Sequence, residues 1–231
     1  NSPEKVVVFI TGRNPTPGRL RATTCRFLAF RSFAVPRLNL TRDDVIRAAS
    51  RLADEEGFDA VSVSAVARAL SVQPASLYGH VRDRAALLDG IHRNALAELA
   101  DRIGAAGAGR AGRDALVALA DAHRDLARTR PGMWSALQHP AGPDTIASPE
   151  AARVATLTLA VLRGYDIGQS DLVHATRFVA ATINGYLALQ RSGAYRGREE
   201  SEDASWLWAL DALDRGLRSA ERATADRDLR V

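Results

Sequence analysis

Beyond residue 40 the apolar positions of this 231-residue chain recur three and four apart, the period of a helix buried along one face. No convincing strand-like alternation interrupts them. Val45, Ala49, Leu52 and Ala53 make the first stripe; Thr41 can cap its free amides, Asp43 and Asp44 suit the positive end of the helix dipole, and Gly57 supplies a stop. Val63, Val66, Ala67 and Leu70 make a second, shorter stripe that Ser62 or Ser64 can cap. After a tight break at Ser71-Val72, a third helix is expected to start near Pro74, a residue tolerated at the first helical position, and to run through His80. Asp83 can cap a fourth over about 84–103.

The run "GAAGAGRAG" at 104–112 reads as a flexible connection. Further helices are expected at about 113–129, 131–138, 149–163, 171–191 and 202–222. Ser148-Pro149-Glu150 makes a good start, Gly164 a good stop, and Ser201 followed by Glu202 and Asp203 another start. The pattern predicts an all-α chain in four parts. An extension (1–38) precedes a three-helix, helix-turn-helix domain (39–91), a helical bundle (92–223) and a polar tail (224–231) expected to fray.

The stretch "SVQPASLYGHVRDRAALL" at 71–88 is not an ordinary core helix. Leu77 and Val81 fit the buried set with Val66, Leu70 and Val72, whereas Gln73, Ser76, Tyr78 and His80 offer hydrogen-bonding groups outward. Two short helices joined by a tight turn behind a longer one form a helix-turn-helix. Its second short helix enters the DNA major groove, where base edges present donors and acceptors. Taken singly, Tyr78 could be an amphipathic core residue, His80 a structural histidine and Arg84 a solvated residue at a helix start.

Charge changes this picture only locally. The chain carries a net +4, and Lys5 is the only lysine among 31 basic residues; the rest are arginine, which suits phosphate recognition. Residues 1–38 hold seven basic side chains against Glu4 alone, with Pro15, Pro17 and Pro36 and no sustained helical period. They read as a disordered arm or as sequence upstream of the true start; they also resemble a transit peptide in composition, and a grip on DNA is a secondary reading. Within 62–84, Arg68, Arg82 and Arg84 outweigh Asp83. No apolar run approaches about 18 residues, so no membrane partner is expected. The single Cys25 forms no internal disulfide, which fits a reducing, cytoplasmic setting.

Residues 40–92, "LTRDDVIRAASRLADEEGFDAVSVSAVARALSVQPASLYGHVRDRAALLDGIH", resemble the DNA-binding domain of TetR-type transcriptional repressors, nearest the tetracycline-repressor-like branch. The likeness rests on the first-helix pattern, on "GFDAVSVSAVARAL" and above all on "SLYGHVRDRAALL". That last run is similar to the family's Leu-Tyr-x-His, an aromatic residue or Val, basic-x-basic and x-Ala-Leu-Leu. The resemblance implies base-edge contact from Gln73, Pro74, Ala75 and Ser76, and phosphate or base contact from Tyr78 and His80. It implies phosphate contact from Arg84, with Arg82 assisting, and from the hydroxyls and amides around Ser62 and Ser64. Arg42 is a further phosphate candidate. Three positions depart from the family pattern. Ser71 stands where glycine is common, so a left-handed residue there carries strain. Gly79 replaces a residue that is often large, and Ser64 a base-reading arginine of some relatives.

By the same resemblance, the helices at 171–191 and 202–222 pair with their copies in a four-helix homodimer interface. Candidates are Val173, Phe178, Ala181, Gly185 and Leu189 on the first, and Trp206, Leu210, Leu213 and Leu217 on the second. An internal core would use the same residue types. "AATINGYLALQRSGAYR" keeps only Gly185 of a Trp-His-Gly triplet found in some members. An effector cavity among the middle helices would draw on His123, Met133, Trp134, Gln138, His139, Phe178, Asn184 and Tyr186.

Enzyme readings find no support. The five histidines show no metal-like spacing, and no GxSxG, phosphate-loop or dinucleotide fingerprint occurs. No cofactor or metal is expected. The partners expected are double-stranded DNA with a palindromic operator, a small-molecule effector and a second copy of the chain. Two other readings stay open: a DNA-binding activator or architectural protein without an inducer, and a helical ligand-binding scaffold with a vestigial motif.

Overall fold

The computed structural model of the chain describes residues 40–197 and 199–228, with side chains up to residue 220. The basic N-terminal segment and Cys25 lie outside the described residues. Among those described, every regular element is helical: α1 (Arg42–Glu56), a single 3-10 turn (Phe58–Ala60), α2 (Val63–Ala69), α3 (Pro74–Leu77), α4 (Arg84–Gly107), α5 (Gly112–Thr129), α6 (Pro131–Gln138), α7 (Pro143–Ile146), α8 (Pro149–Arg163), α9 (Leu172–Ser192) and α10 (Glu202–Asp228). Among them no helix is long and apolar enough to cross a membrane.

The capping residues set the helix starts. At α1 the Thr41 hydroxyl accepts the Asp44 amide at 3.1 Å while the Asp44 carboxylate accepts the Thr41 amide at 3.0 Å, a reciprocal capping box. Those Thr41 bonds, first its hydroxyl and then its amide, bring the Asp44 carboxyl down to about 2. Ser62, Asp83, Ser148 and Ser201 accept the amides of Ala65, Ala86, Ala151 and Ala204 at the starts of α2, α4, α8 and α10.

Four boundaries differ from the sequence expectation. α4 does not stop at 103 but runs through Gly104 to Gly107, leaving only a short turn before α5. Glycine disfavours a helix interior by about 1 kcal/mol, yet α4 packs along both α5 and α8, with Ile103 sealed between them, and packing wins. α3 ends at Leu77 rather than His80, the one-turn α7 has no counterpart in the periodic pattern, and α10 continues to Asp228 where a fraying tail was expected.

Two apolar cores result. The first joins α1, α2, α3 and the front of α4 through Val45, Leu52, Phe58, Val66, Leu77, Leu87 and Ile91; Met133 and Ala136 of α6 complete it. The second gathers Leu99 and Ile103 of α4 with α5, Trp134 of α6, the end of α8, and α9 and α10. The boundary expected between residues 91 and 92 therefore falls inside one continuous helix, and the cores hand over between Ala95 and Leu99. α6 serves both. A Cβ on Gly132 would lie 2.1 Å from the Ala53 carbonyl, so only glycine allows α6 to rest directly on the end of α1. There the Asp54 carboxylate accepts the Gly132 and Met133 amides at 2.8 and 3.1 Å and Arg130 Nε at 2.6 Å.

Candidate nucleic-acid interface

The turn between α2 and α3 fixes how α3 is presented. α2 ends in a Schellman arrangement: the Val72 amide donates to the Ala67 carbonyl at 2.9 Å, and the Ser71 amide to Arg68 at 3.0 Å. The motif demands a left-handed residue at Ser71, whose φ is 55°. This is the strained non-glycine residue the sequence anticipates; a left-handed conformation costs such a residue roughly 1–2 kcal/mol. The chain then leaves Gln73 extended and turns into α3 at Pro74. After one helical turn, the His80 and Val81 amides both donate to the Leu77 carbonyl at 2.9 Å.

This short turn sorts its side chains sharply. Leu77 and Val81 are buried in the first core, whereas Gln73, Pro74, Ala75, Ser76 and Tyr78 are exposed and His80 is half-buried. Tyr78 stands 59% exposed, which rules out the core reading for its ring. Ser64, Arg42 and Arg82 also lie at the surface. Ser62 is partly committed, its oxygen already capping α2.

Arg84 has an internal duty that sequence reasoning missed. Its Nε donates to the Val61 carbonyl at 2.8 Å and a terminal nitrogen to the Asp59 carbonyl at 3.1 Å. It thereby clamps the start of α4 to the segment leading into α2. Its partners are backbone atoms more than twenty residues away, and no side-chain pattern announces them. Among the described residues Arg82 pairs with the neighbouring Asp83 alone, at 3.2 Å, and its side chain is 84% exposed.

Residues 45–91 match the family model described as bacterial regulatory proteins, tetR family, and residues 116–213 the model described as tetracyclin repressor-like, C-terminal domain. The chain belongs to the TetR family. The uncharacterised helix-turn-helix transcriptional regulator YobS of Bacillus subtilis is 29% identical over 167 residues, 71% of this chain and 86% of that protein. The uncharacterised regulator Rv0681 of Mycobacterium tuberculosis is 29% identical over the same share of this chain and 76% of its own length. A variant of TetR from Acinetobacter baumannii, solved in complex with minocycline, superposes with a TM-score of 0.62 at 25% identity, covering 79% of this chain and 98% of that one. The present TetR-family protein is accordingly a helix-turn-helix transcriptional regulator.

The C-terminal candidates fare differently. Four residues expected at a dimer interface, Trp206, Leu210, Leu213 and Leu217, are only 1–2% exposed and form the chain's own core. The periodic stripe picked the inward face of α10. Among the described residues its large outward apolar side chains are Leu207 and Trp208; the sequence shows Trp208 on this helix, but Leu207 was missed. The signal was present in "WLW": two large residues directly after Trp206 break the 206-210-213-217 stripe and must face elsewhere. On α9 the expected Val173, Phe178, Ala181, Gly185 and Leu189 are exposed.

The eight effector candidates do not line one cavity. Met133 is part of the first core, and His139 packs on Phe58 with ring centroids 4.6 Å apart. Phe178 is exposed on α9, against Gly216. Gln138 donates to Asn184 at 3.2 Å, and Tyr186 sits between Tyr195 and Trp206 while donating to the Glu202 carbonyl at 2.7 Å. His123 Nδ1 bonds the Leu119 carbonyl at 2.8 Å, and burial pushes its imidazole below the ordinary range. Every polar residue of the set but one thus has a side-chain atom bonded within the chain. Trp134 is the exception: its indole N–H is buried without an acceptor among the described residues.

Proposed function

We propose that the protein is a homodimeric, cytoplasmic repressor that holds a palindromic operator through two copies of the α3 turn and releases it when a small-molecule effector occupies the C-terminal helices. One observation carries the reading. Hydrogen-bonding side chains from Gln73 to Tyr78 are displayed outward on a turn anchored by the buried Leu77 and Val81. Gln73 and Ser76 match base edges; Tyr78, His80, Arg82 and Arg42, with the hydroxyls of Ser62 and Ser64, suit the phosphates on either side.

Supporting dimerisation, Val173, Phe178 and Leu189 of α9 and Leu207 and Trp208 of α10 leave large apolar surface uncovered on a single chain. An effector is supported by the relative solved with minocycline. Such a molecule weakens DNA binding only if it binds the released conformation more tightly. α4 and α6 are the natural carriers, since each contributes to both cores.

The direct test is footprinting on the DNA upstream of the protein's own gene. Two protected half-sites about 34–36 Å apart, one helical turn, are expected of a two-fold dimer. Protection of one isolated half-site, or none, would remove the dimeric operator reading.

A further inference from the structure

We propose that the cleft walled by α5, α9 and the start of α10 binds a small organic anion with an apolar body. The inference rests on the effector-responsive reading above and gives that effector a place and a chemical class. The cleft encloses about 580 Å³, within the range of about 300–1,000 Å³ usual for small-molecule sites. Ala127 and Leu187 give it an apolar floor. Two indole rings lie directly behind its cationic wall. The guanidinium of Arg191 is 5.2 Å from the ring centre of Trp134, and that of Arg124 is 5.3 Å from that of Trp206. Trp134 is the residue whose buried N–H lacks an acceptor, so an unused donor sits one guanidinium away from the cleft.

The sign of the ligand follows from which charges are already engaged. Each aspartate lining the cleft has partners. Asp121 accepts Trp206 Nε1 at 2.9 Å, Asp125 accepts Arg102 at 2.5 Å and Arg128 at 2.8 Å, and Asp203 accepts Arg124 at 2.6 Å. Two of its four arginines are less committed: Arg124 and Arg128 are paired with Asp203 and Asp125. Arg191 gives a single N–H to the Ala127 carbonyl at 2.9 Å, and the Arg196 side chain has no hydrogen-bond or ion-pair partner among the described residues. Of these aspartates Asp121 alone lacks an ion-pair partner among the described residues, against two guanidinium groups, Arg191 and Arg196, that lack one, so the uncommitted charge of the cleft is positive. A carboxylate or sulfonate can take parallel N–H bonds from free guanidinium groups, while an aromatic or aliphatic body covers Leu187 and Ala127.

The test uses the full-length protein and two probes that share their rings. 8-Anilinonaphthalene-1-sulfonate carries the anion; N-phenyl-1-naphthylamine lacks it. Binding is followed by energy transfer from the tryptophans, in wild type, in R191Q/R196Q and in R191K/R196K. Both arginines are at the surface, so the fold is expected to survive, and thermal melts check it. The expected result is sulfonate affinity at least ten-fold weaker in the glutamine variant and largely restored in the lysine variant. Unchanged binding of the neutral probe in both variants completes the expected pattern. Unchanged sulfonate affinity in R191Q/R196Q, or equal weakening of both probes, overturns the site. Operator binding by the same preparations separates the two readings. A protein that never holds an operator but binds the sulfonate in this arginine-dependent way keeps the site and loses the repressor role.

Discussion

Leu77 and Tyr78 are chain neighbours with opposite work. Leu77→Ala empties a fully buried site and should cost about 2–5 kcal/mol of stability in a urea titration, with DNA binding lost as the domain loosens. Tyr78→Ala should leave stability within about 0.5 kcal/mol of wild type, as exposed positions do, while weakening operator binding by about 1–3 kcal/mol in the same buffer. A second residue-scale prediction concerns His123. In the unfolded chain its imidazole protonates near the ordinary 6.5, whereas burial holds the folded one lower. Below about pH 6.5 the unfolded state therefore binds more protons, and stability falls with pH. His92 is lowered in the same direction by burial and by the nearby His139, against the pull of Asp89. Urea midpoints from pH 7.5 to 5.5 should drop in wild type and drop less in His123→Gln. Single residues were legible from sequence where their role is local. Thr41, Ser62 and Asp83 cap because they precede apolar stripes, and Ser71 is strained because the turn needs a left-handed residue. Arg84 was half legible, because carbonyls at Val61 and Asp59 meet it only through the fold.

At the scale of elements, α6 is the piece that sequence reasoning placed but did not understand. Its eight residues read as one more short helix, yet it closes the DNA-binding core and enters the second core. Asp54 holds its start, and Arg130 bonded to Asp54 also reaches Glu98 of α4 at 2.7 Å. Glu98 in turn bonds Arg102, whose partner Asp125 lines the C-terminal cleft. Asp54→Ala should cost about 1–3 kcal/mol by leaving these donors without their acceptor. It should also speed hydrogen exchange at the Gly132 and Met133 amides; unchanged exchange there would show that packing at Gly132, not the carboxylate, docks the helix. The faces of α10 illustrate why periodicity alone misassigns. Apolar residues lie both inward and outward, and a period cannot tell which face meets the same chain.

On the scale of the whole molecule, the all-α architecture and the helix-turn-helix were readable because each element carries its own cap and stripe. The proposed cleft was not, because a cavity forms where helices distant in sequence meet. The outward apolar set predicts the assembly state. Trp208→Glu should shift the protein toward monomer in sedimentation velocity and weaken operator binding, whereas Trp206→Ala should unfold the C-terminal helices. The most direct test of the account is fluorescence anisotropy of the wild-type protein on its own upstream DNA, beside a random duplex of equal length, across a salt series. The account predicts selective binding that weakens steeply with salt as phosphate contacts are lost, with an even number of chains per duplex. Equal, weak binding to both duplexes would contradict it.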